Sequence, residues 1–137
     1  MVDIQITCTG LDAVIADISV MNTKVLERVK EKIQESAERL KVGAEQRAPV
    51  ASKTYSRGEG QEYAPGFLKE HIKITYKPIQ FIAIVSYLGK AWYGKFVEFG
   101  TVDQAAQPFL GPAWQEEKPN FIKGVHEAVT EETEKGL

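Results

Sequence analysis

The sequence predicts an α+β domain, a small antiparallel β-sheet packed against a long amphipathic helix, with a C-terminal helix. Two observations carry this. Over residues 25–48 the apolar side chains Val25, Leu26, Val29, Ile33, Ala37, Leu40, Ala44 and Ala48 return every three or four positions, with Lys, Glu and Arg between them. That is the period of a helix with one buried face. Over residues 72–87 the period falls to two, through Ile72, Ile74 and Tyr76 and then Phe81, Ala83, Val85 and Tyr87 on the far side of Lys77-Pro78. That is the period of a hairpin. With 137 residues, 43% of them hydrophobic, the chain is long enough for one domain with its own core and short for two.

Taken in order, Val2, Ile4 and Ile6 alternate as in a half-buried strand that Gly10 ends, and Leu11, Val14, Ile15 and Ile18 recur at helical spacing. Asn22 or Thr23 caps the long helix, and Pro49 stops it at or near Ala48. The narrowing to Ala37, Ala44 and Ala48 admits a close backbone neighbour, either within the fold or across a subunit boundary. Residues 50–65 show no apolar period and carry glycines at 58 and 60, so they read as a long flexible loop, either functional or a tolerated insertion. Its Lys53, Tyr55 and Arg57 are candidates for lining a lumen or meeting a partner, although Glu59 and Glu62 offset their charge. In the hairpin, Pro78 sits in the turn, and Ile82 and Ile84 imply cover on the second face of the second strand. Trp92, Phe96 and Phe99, with Tyr93 and Val97 beside them, fit a short helix ending at Gly100. They read as an aromatic plug contributing to the core. The last helix is expected to begin near Pro119, with Phe121, Ile122, Val125, Ala128 and Val129 as its stripe.

Chemistry is sparse. The formal charge of −2 lacks the excess of positive charge of a general DNA binder. Cys8 is the sole cysteine, which excludes an internal disulfide and a cysteine zinc cluster, fits a reducing compartment, and reads as a small buried hydrophobe. No run approaches the ~20 apolar residues of a membrane span, and the first residues lack a basic start and apolar run, so a soluble protein made in the cytoplasm is expected. His71 and His126 stand apart without a ligand set. Glycines 58 and 60 do not form a phosphate loop, and Ser36, Ser52, Ser56 and Ser86 lack a nucleophile elbow. No catalytic residue, metal or cofactor is expected. Glu98 alone, set among aromatics, is open to two readings: a desolvated acid in a cleft, or an acceptor of hydrogen bonds from the loop that starts at Thr101.

The stretch 93–114 concentrates what is distinctive. It runs Tyr93-Gly94-Lys95-Phe96-Val97-Glu98-Phe99-Gly100-Thr101, then a polar loop, then Gln107-Pro108-Phe109-Leu110 and Pro112-Ala113. Together with Ala48-Pro49 at the end of the long helix and a Gly-x-Leu-basic-x-x-Ile pattern at Gly66, Leu68, Lys69 and Ile72, this resembles the tail-component family of long-tailed phages. The Glu-Phe-Gly-Thr and Pro-Phe-Leu elements are the specific ones. The sequence departs from the family pattern before Gly66, where the loop is longer and Pro65 precedes the glycine.

The resemblance implies a non-enzymatic structural subunit of a phage or prophage virion, a tail-completion or head–tail joining protein. Its place would be the head-to-tail junction or the upper tail end, reached by assembly in the host cytoplasm. It implies self-assembly into a ring, hexameric by the family's habit, beside neck, connector or tail-tube proteins. DNA would be only non-specific cargo in the channel, with no membrane partner. Near-neutral charge and two-faced apolar strands suit that work. The candidate motif and interface residues are Tyr93, Phe96, Glu98, Phe99, Gly100, Thr101, Pro108, Phe109 and Leu110, with residues 102–107 as the contact loop. A minor capsid or head-closure component has the same sequence character, and a small cytosolic enzyme is the more distant alternative.

Overall fold

A computed structural model describes residues 23–135 apart from 52, 58, 59, 78, 80 and 88. The strand expected at Val2–Ile6, the helical spacing at Leu11–Ile18, and the readings of Cys8, Asn22, Ser52, Gly58, Glu59 and Pro78 lie outside the described residues.

Helix α1 spans Thr23–Arg47. Its inward residues Val25, Val29, Ile33, Ala37, Leu40 and Ala44 are the expected stripe, and Ser36 joins them. The Ala48 N–H still donates to the Ala44 carbonyl at 2.8 Å, and Pro49, which has no N–H to continue the ladder, ends the run there.

The stretch expected to be a structureless loop contains a short antiparallel hairpin, β1 (Tyr55–Arg57) with β2 (Gln61–Tyr63), in the register Tyr55↔Tyr63. Gly60, with φ of 79°, stands next to β2 in a left-handed conformation that costs a glycine little. Three-residue strands are too short for a periodicity to register, which is why the sequence pattern missed them. A single helical turn, α2 (Phe67–Glu70), follows Gly66 and buries Leu68.

Strands β3 (Ile72–Lys77) and β4 (Ile82–Tyr87) pair antiparallel as expected, with Ile72 opposite Tyr87, Ile74 opposite Val85 and Tyr76 opposite Ala83. That face covers α1. On the other face Lys73, Thr75 and Lys77 of β3 are exposed, whereas Ile82 and Ile84 of β4 are half-buried. A 3-10 turn at Gly89–Ala91 leads to α3 (Gly94–Phe99), which ends at Gly100 as expected.

The last helix, α4, spans Leu110–Lys135, so it begins well before Pro119, which lies inside it. Pro112 falls in the first turn, where its missing N–H is harmless, and Pro119 removes one bond that the length and packing of the helix tolerate. Its inward positions include Leu110, Ala113, Glu117, Phe121, Ala128 and Glu132, with Val125 and Val129 half-buried, whereas Ile122 is exposed. α4 lies antiparallel to α1. Arg47 pairs with Glu116, a Cβ at Gly43 would lie 3.4 Å from that of Ala113, one at Gly124 would lie 3.5 Å from Lys32, and Arg28 faces Glu132. The alanine-lined end of α1 therefore meets its close neighbour inside the fold. Midway along, Glu117 is buried between the helices, and one of its oxygens takes bonds from the Ser36 hydroxyl and the Arg39 Nε, both at 2.9 Å. That bond, helped by the charge attraction and opposed by burial, raises the Arg39 guanidinium above its ordinary value.

The core has two lobes. The larger gathers Ala37, Leu40 and Ala44 with Leu68, Ile72, Val85, Tyr87, Phe109 and Leu110, and the smaller gathers Val25, Val29, Ile33 and Phe121. Ala83 and Trp114 pack against both.

Candidate functional site

The distinctive stretch folds into a latch. Glu98 is 6% exposed and accepts three backbone hydrogen bonds: Phe109 N–H at 2.8 Å and Leu110 N–H at 3.0 Å on Oε2, and Gly111 N–H at 2.8 Å on Oε1. These amides belong to the start of α4, where the first N–H groups have no partner within the helix and the helix dipole favours an anion. Of the two readings of Glu98, the geometry is that of the acceptor. The donors come from the far end of the loop, where it turns into α4, rather than from Thr101. A carboxylate held by three donors is committed to positioning.

The chain between the two halves of the latch is also fixed. Gly100 has φ of 76°, and a Cβ there would lie 2.7 Å from the Ala106 nitrogen, so both the dihedral and the space call for glycine. Thr101 and Gln104 exchange backbone bonds at 2.8 and 3.3 Å, and Gln107 N–H returns to the Val97 carbonyl at 2.7 Å. Side chains 101–108, Thr101 and Pro108 included, are exposed on this folded loop. Phe109 and Leu110 are fully buried, with the Phe109 ring 6.0 Å from that of Tyr87.

The aromatics do not form the expected core plug. Trp92 is 41% exposed, Phe96 39% and Phe99 68%, and the buried residues of α3 are Gly94 and Glu98. The reason is the face chosen. Gly94 and Glu98 lie one turn apart, Glu98 is held by α4, and Gly94 lies so close to the Tyr87 ring that a Cβ would sit 2.8 Å from its carbons. The rings on the opposite side are thereby turned outward. Trp92 and Phe96 meet edge to face at 5.8 Å, and the Lys95 ammonium lies 5.0 Å from the Phe96 ring centre.

Beside the latch runs an open groove of about 570 Å³. Pro49 and Val50 after α1, Tyr63 from β2, Phe67 from α2, and Trp92 and Tyr93 before α3 line it, together with Gln104 and Gln107 of the loop. All of its lining side chains are uncharged. The Tyr63 ring stands edge-on to Phe67 at 5.0 Å and to Tyr93 at 5.5 Å. Burial, and then the neighbouring Tyr63, hold the Tyr93 hydroxyl above the usual tyrosine range. The segments singled out separately in the sequence, at 48–49, 66–72, 93–101 and 107, thus converge on one groove and its latch. Of the predicted loop residues, Tyr55 and Arg57 lie on β1, which pairs with β2 in the register Tyr55↔Tyr63 and Arg57↔Gln61, whereas Lys53 precedes the hairpin and is exposed.

The two histidines stand apart from each other. The His71 ring stacks on Phe67 at 4.0 Å with its Nδ1 2.6 Å from the Phe67 carbonyl, and His126 is exposed on α4. Among the described residues no three His, Cys, Asp or Glu side chains are grouped as metal ligands, and no helix is long and apolar enough to cross a membrane. The packing of Gly94 against Tyr87 and the bond from Ser36 to Glu117 are what sequence reading did not foresee. A glycine inside a helical stretch and a serine inside an apolar stripe were the available signals of close packing and of a buried polar partner. The chain matches no protein-family model, no curated protein and no solved structure.

Proposed function

We propose that the chain is a structural subunit of the head-to-tail junction or upper tail end of a long-tailed phage or prophage, assembling into a ring through which DNA passes. The observation that carries this reading is the latch. The two elements that the resemblance rests on, Glu-Phe-Gly-Thr and Pro-Phe-Leu, are joined through Glu98 to the first amides of α4. The joint presents an exposed loop and a row of outward aromatics beside an uncharged groove. Surfaces rich in Trp, Tyr and Phe and poor in charge suit burial against another protein. The formal charge of −2 suits a channel wall along which DNA moves without being held.

The test is a phage genome lacking this reading frame, complemented in trans with the wild-type chain or with a variant carrying Phe99→Asp and Val102→Asp, both at exposed positions. The expected result is loss of infectious particles without the protein and with the variant, and rescue by the wild type. Electron micrographs then distinguish positions: full heads beside free tails mean a joining role, absent or overlong tails mean a tail-end role, and open or leaking heads mean a head-closure component. Normal particle yield without the protein overturns the reading.

A further inference from the structure

We infer that the outward row of the β3–β4 hairpin, Lys73 and Lys77 with Lys69 just before them, is the surface that meets the phosphates of duplex DNA. The inference rests on the reading of the chain as a ring subunit through which DNA passes, and it names the face turned toward the channel.

The formal charge of −2 conceals an uneven distribution. Between Gly66 and Val97 there are five lysines, at 69, 73, 77, 90 and 95, and a single acid, Glu70, so the excess of acid lies in the rest of the chain. On the two long helices Arg28, Lys32, Lys41, Arg47 and Lys123 each lie beside a glutamate. Lys69, Lys73 and Lys77 are exposed, and among the described residues none of them is paired with an acid. The pleat separates the charges. On the face toward α1 the Tyr76 hydroxyl donates to Glu38 at 3.2 Å, whereas Lys73, Thr75 and Lys77 point the other way.

The exposed row has the composition of a phosphate contact. Lysine and threonine side chains bond phosphate oxygens, whereas lysine is depleted in interfaces between proteins. No aliphatic or aromatic side chain stands among Lys73, Thr75 and Lys77 as an anchor, and the outward rings Phe96 and Phe99 belong to α3. Along the strand Lys73 and Lys77 stand roughly 13 Å apart, close to the ~12 Å width of the major groove, so their flexible ammoniums can take phosphates on either side of it. Two or three phosphate contacts per copy give a weak, salt-dependent hold that lets DNA move. Lysines on an edge strand also deter unwanted pairing, and β3 is bonded on one side only among the described residues. Any charge serves that purpose, so exchanging lysine for glutamate removes the DNA contact and leaves the edge protected.

The test uses the full chain and a fluorescent DNA duplex of random sequence, with binding followed by anisotropy as salt is raised from about 20 to 200 mM. The wild type is expected to bind with log K falling against log salt at a slope between about −2 and −3. Lys73→Glu with Lys77→Glu should weaken binding at low salt at least roughly tenfold, and the same two changes to Gln should weaken it less and reduce the slope by about 2. Lys118→Glu with Lys123→Glu, at exposed positions of α4, makes the same change in net charge and should leave binding within about threefold of wild type. Melting temperatures confirm that the variants are folded. A wild type that does not bind at low salt, hairpin variants that bind like wild type, or an α4 variant that loses as much as the hairpin variant each overturn the inference. So does binding to phosphatidylserine vesicles without binding to the duplex, which would mean a membrane surface. Particles that mature normally without the protein overturn the virion reading whatever the DNA binding shows, and salt-dependent binding untouched by the hairpin changes overturns the lysine row alone.

Discussion

Glu98→Ala is the substitution whose cost the geometry defines best. The side chain accepts from three amides, of which those of Phe109 and Leu110 lie in fully buried residues and that of Gly111 is nearer the surface. Leaving a buried donor unsatisfied costs about 1–3 kcal/mol, and losing a helix cap typically costs ~1 kcal/mol. Allowing for partial entry of water, the loss should be about 3–5 kcal/mol, a large part of the 5–15 kcal/mol that usually holds a domain together. Glu98→Gln divides the effect. Its oxygen can serve Phe109 and Leu110, which share Oε2, while its amide meets the Gly111 N–H donor to donor, so about 1–2 kcal/mol should be lost. Urea unfolding followed by circular dichroism gives both numbers, provided the slopes stay equal to wild type. Hydrogen exchange should localise the change to amides 109–111. A loss below about 1 kcal/mol for the alanine variant, or equal losses for alanine and glutamine, would show that the carboxylate does not hold α4 in the way argued.

Three further outcomes follow from the packing. Gly94→Ala places a methyl 2.8 Å from the Tyr87 ring and should destabilise by roughly 1–3 kcal/mol, the reverse of the usual gain from alanine in a helix, as read from the melting temperature. Phe109→Ala empties a fully buried site and should cost about 3–5 kcal/mol, measured by the same unfolding curves, whereas Phe99→Ala at a largely exposed site should stay within about 0.5 kcal/mol of wild type. Burial is the first cause of the raised values of both Tyr76 and Tyr93. Because the folded state resists losing these protons, their contribution is intact below the ordinary tyrosine value of 10.0 and is lost as pH rises through the higher folded values. Absorbance titration should show the two phenolates forming later than in the unfolded chain, with stability falling over that window.

The fold class was legible because its two main elements are long enough to display their periods. The stripe of α1 and the alternation across β3 and β4 arise from burial on one face, and burial is what a hydrophobic pattern records. The start of α4 was not legible for the opposite reason. Residues 107–111 contain no local capping serine, threonine or acid, and the acceptor for the first amides is Glu98, which stands on another element. Pro119 then looked like a natural first-turn residue, when the preceding turns were already held by a partner from far along the sequence. The aromatic stretch misled in a related way. Trp92, Phe96 and Phe99 have helical spacing, but spacing fixes only that three rings share a face, and which face turns inward depends on what the other face carries. The groove could not be seen at all, since its lining comes from five separate segments.

That choice of face can be weighed. Rotating α3 to bury Phe96 and Phe99 would gain about 1.5–3 kcal/mol for each ring fully covered. It would also withdraw Glu98 from three amides, at about 1–3 kcal/mol for each one left buried, and bring bulky side chains to a site where only a glycine clears the Tyr87 ring. The two sides are of similar size, so the outward rings are not discarded surface. They are the residue of a competition that the latch and the Gly94 contact win by a small margin. A second protein laid over Trp92, Phe96 and Phe99 would recover part of the forgone burial without opening the latch, so the inward and outward faces of α3 need not compete once the surface is covered. The loop at 101–108 shares in this arrangement, because its Gln107 bond to Val97 holds it to the same helix. A contact on the rings and a contact on the loop are therefore mechanically one, and loosening Glu98 should weaken both together.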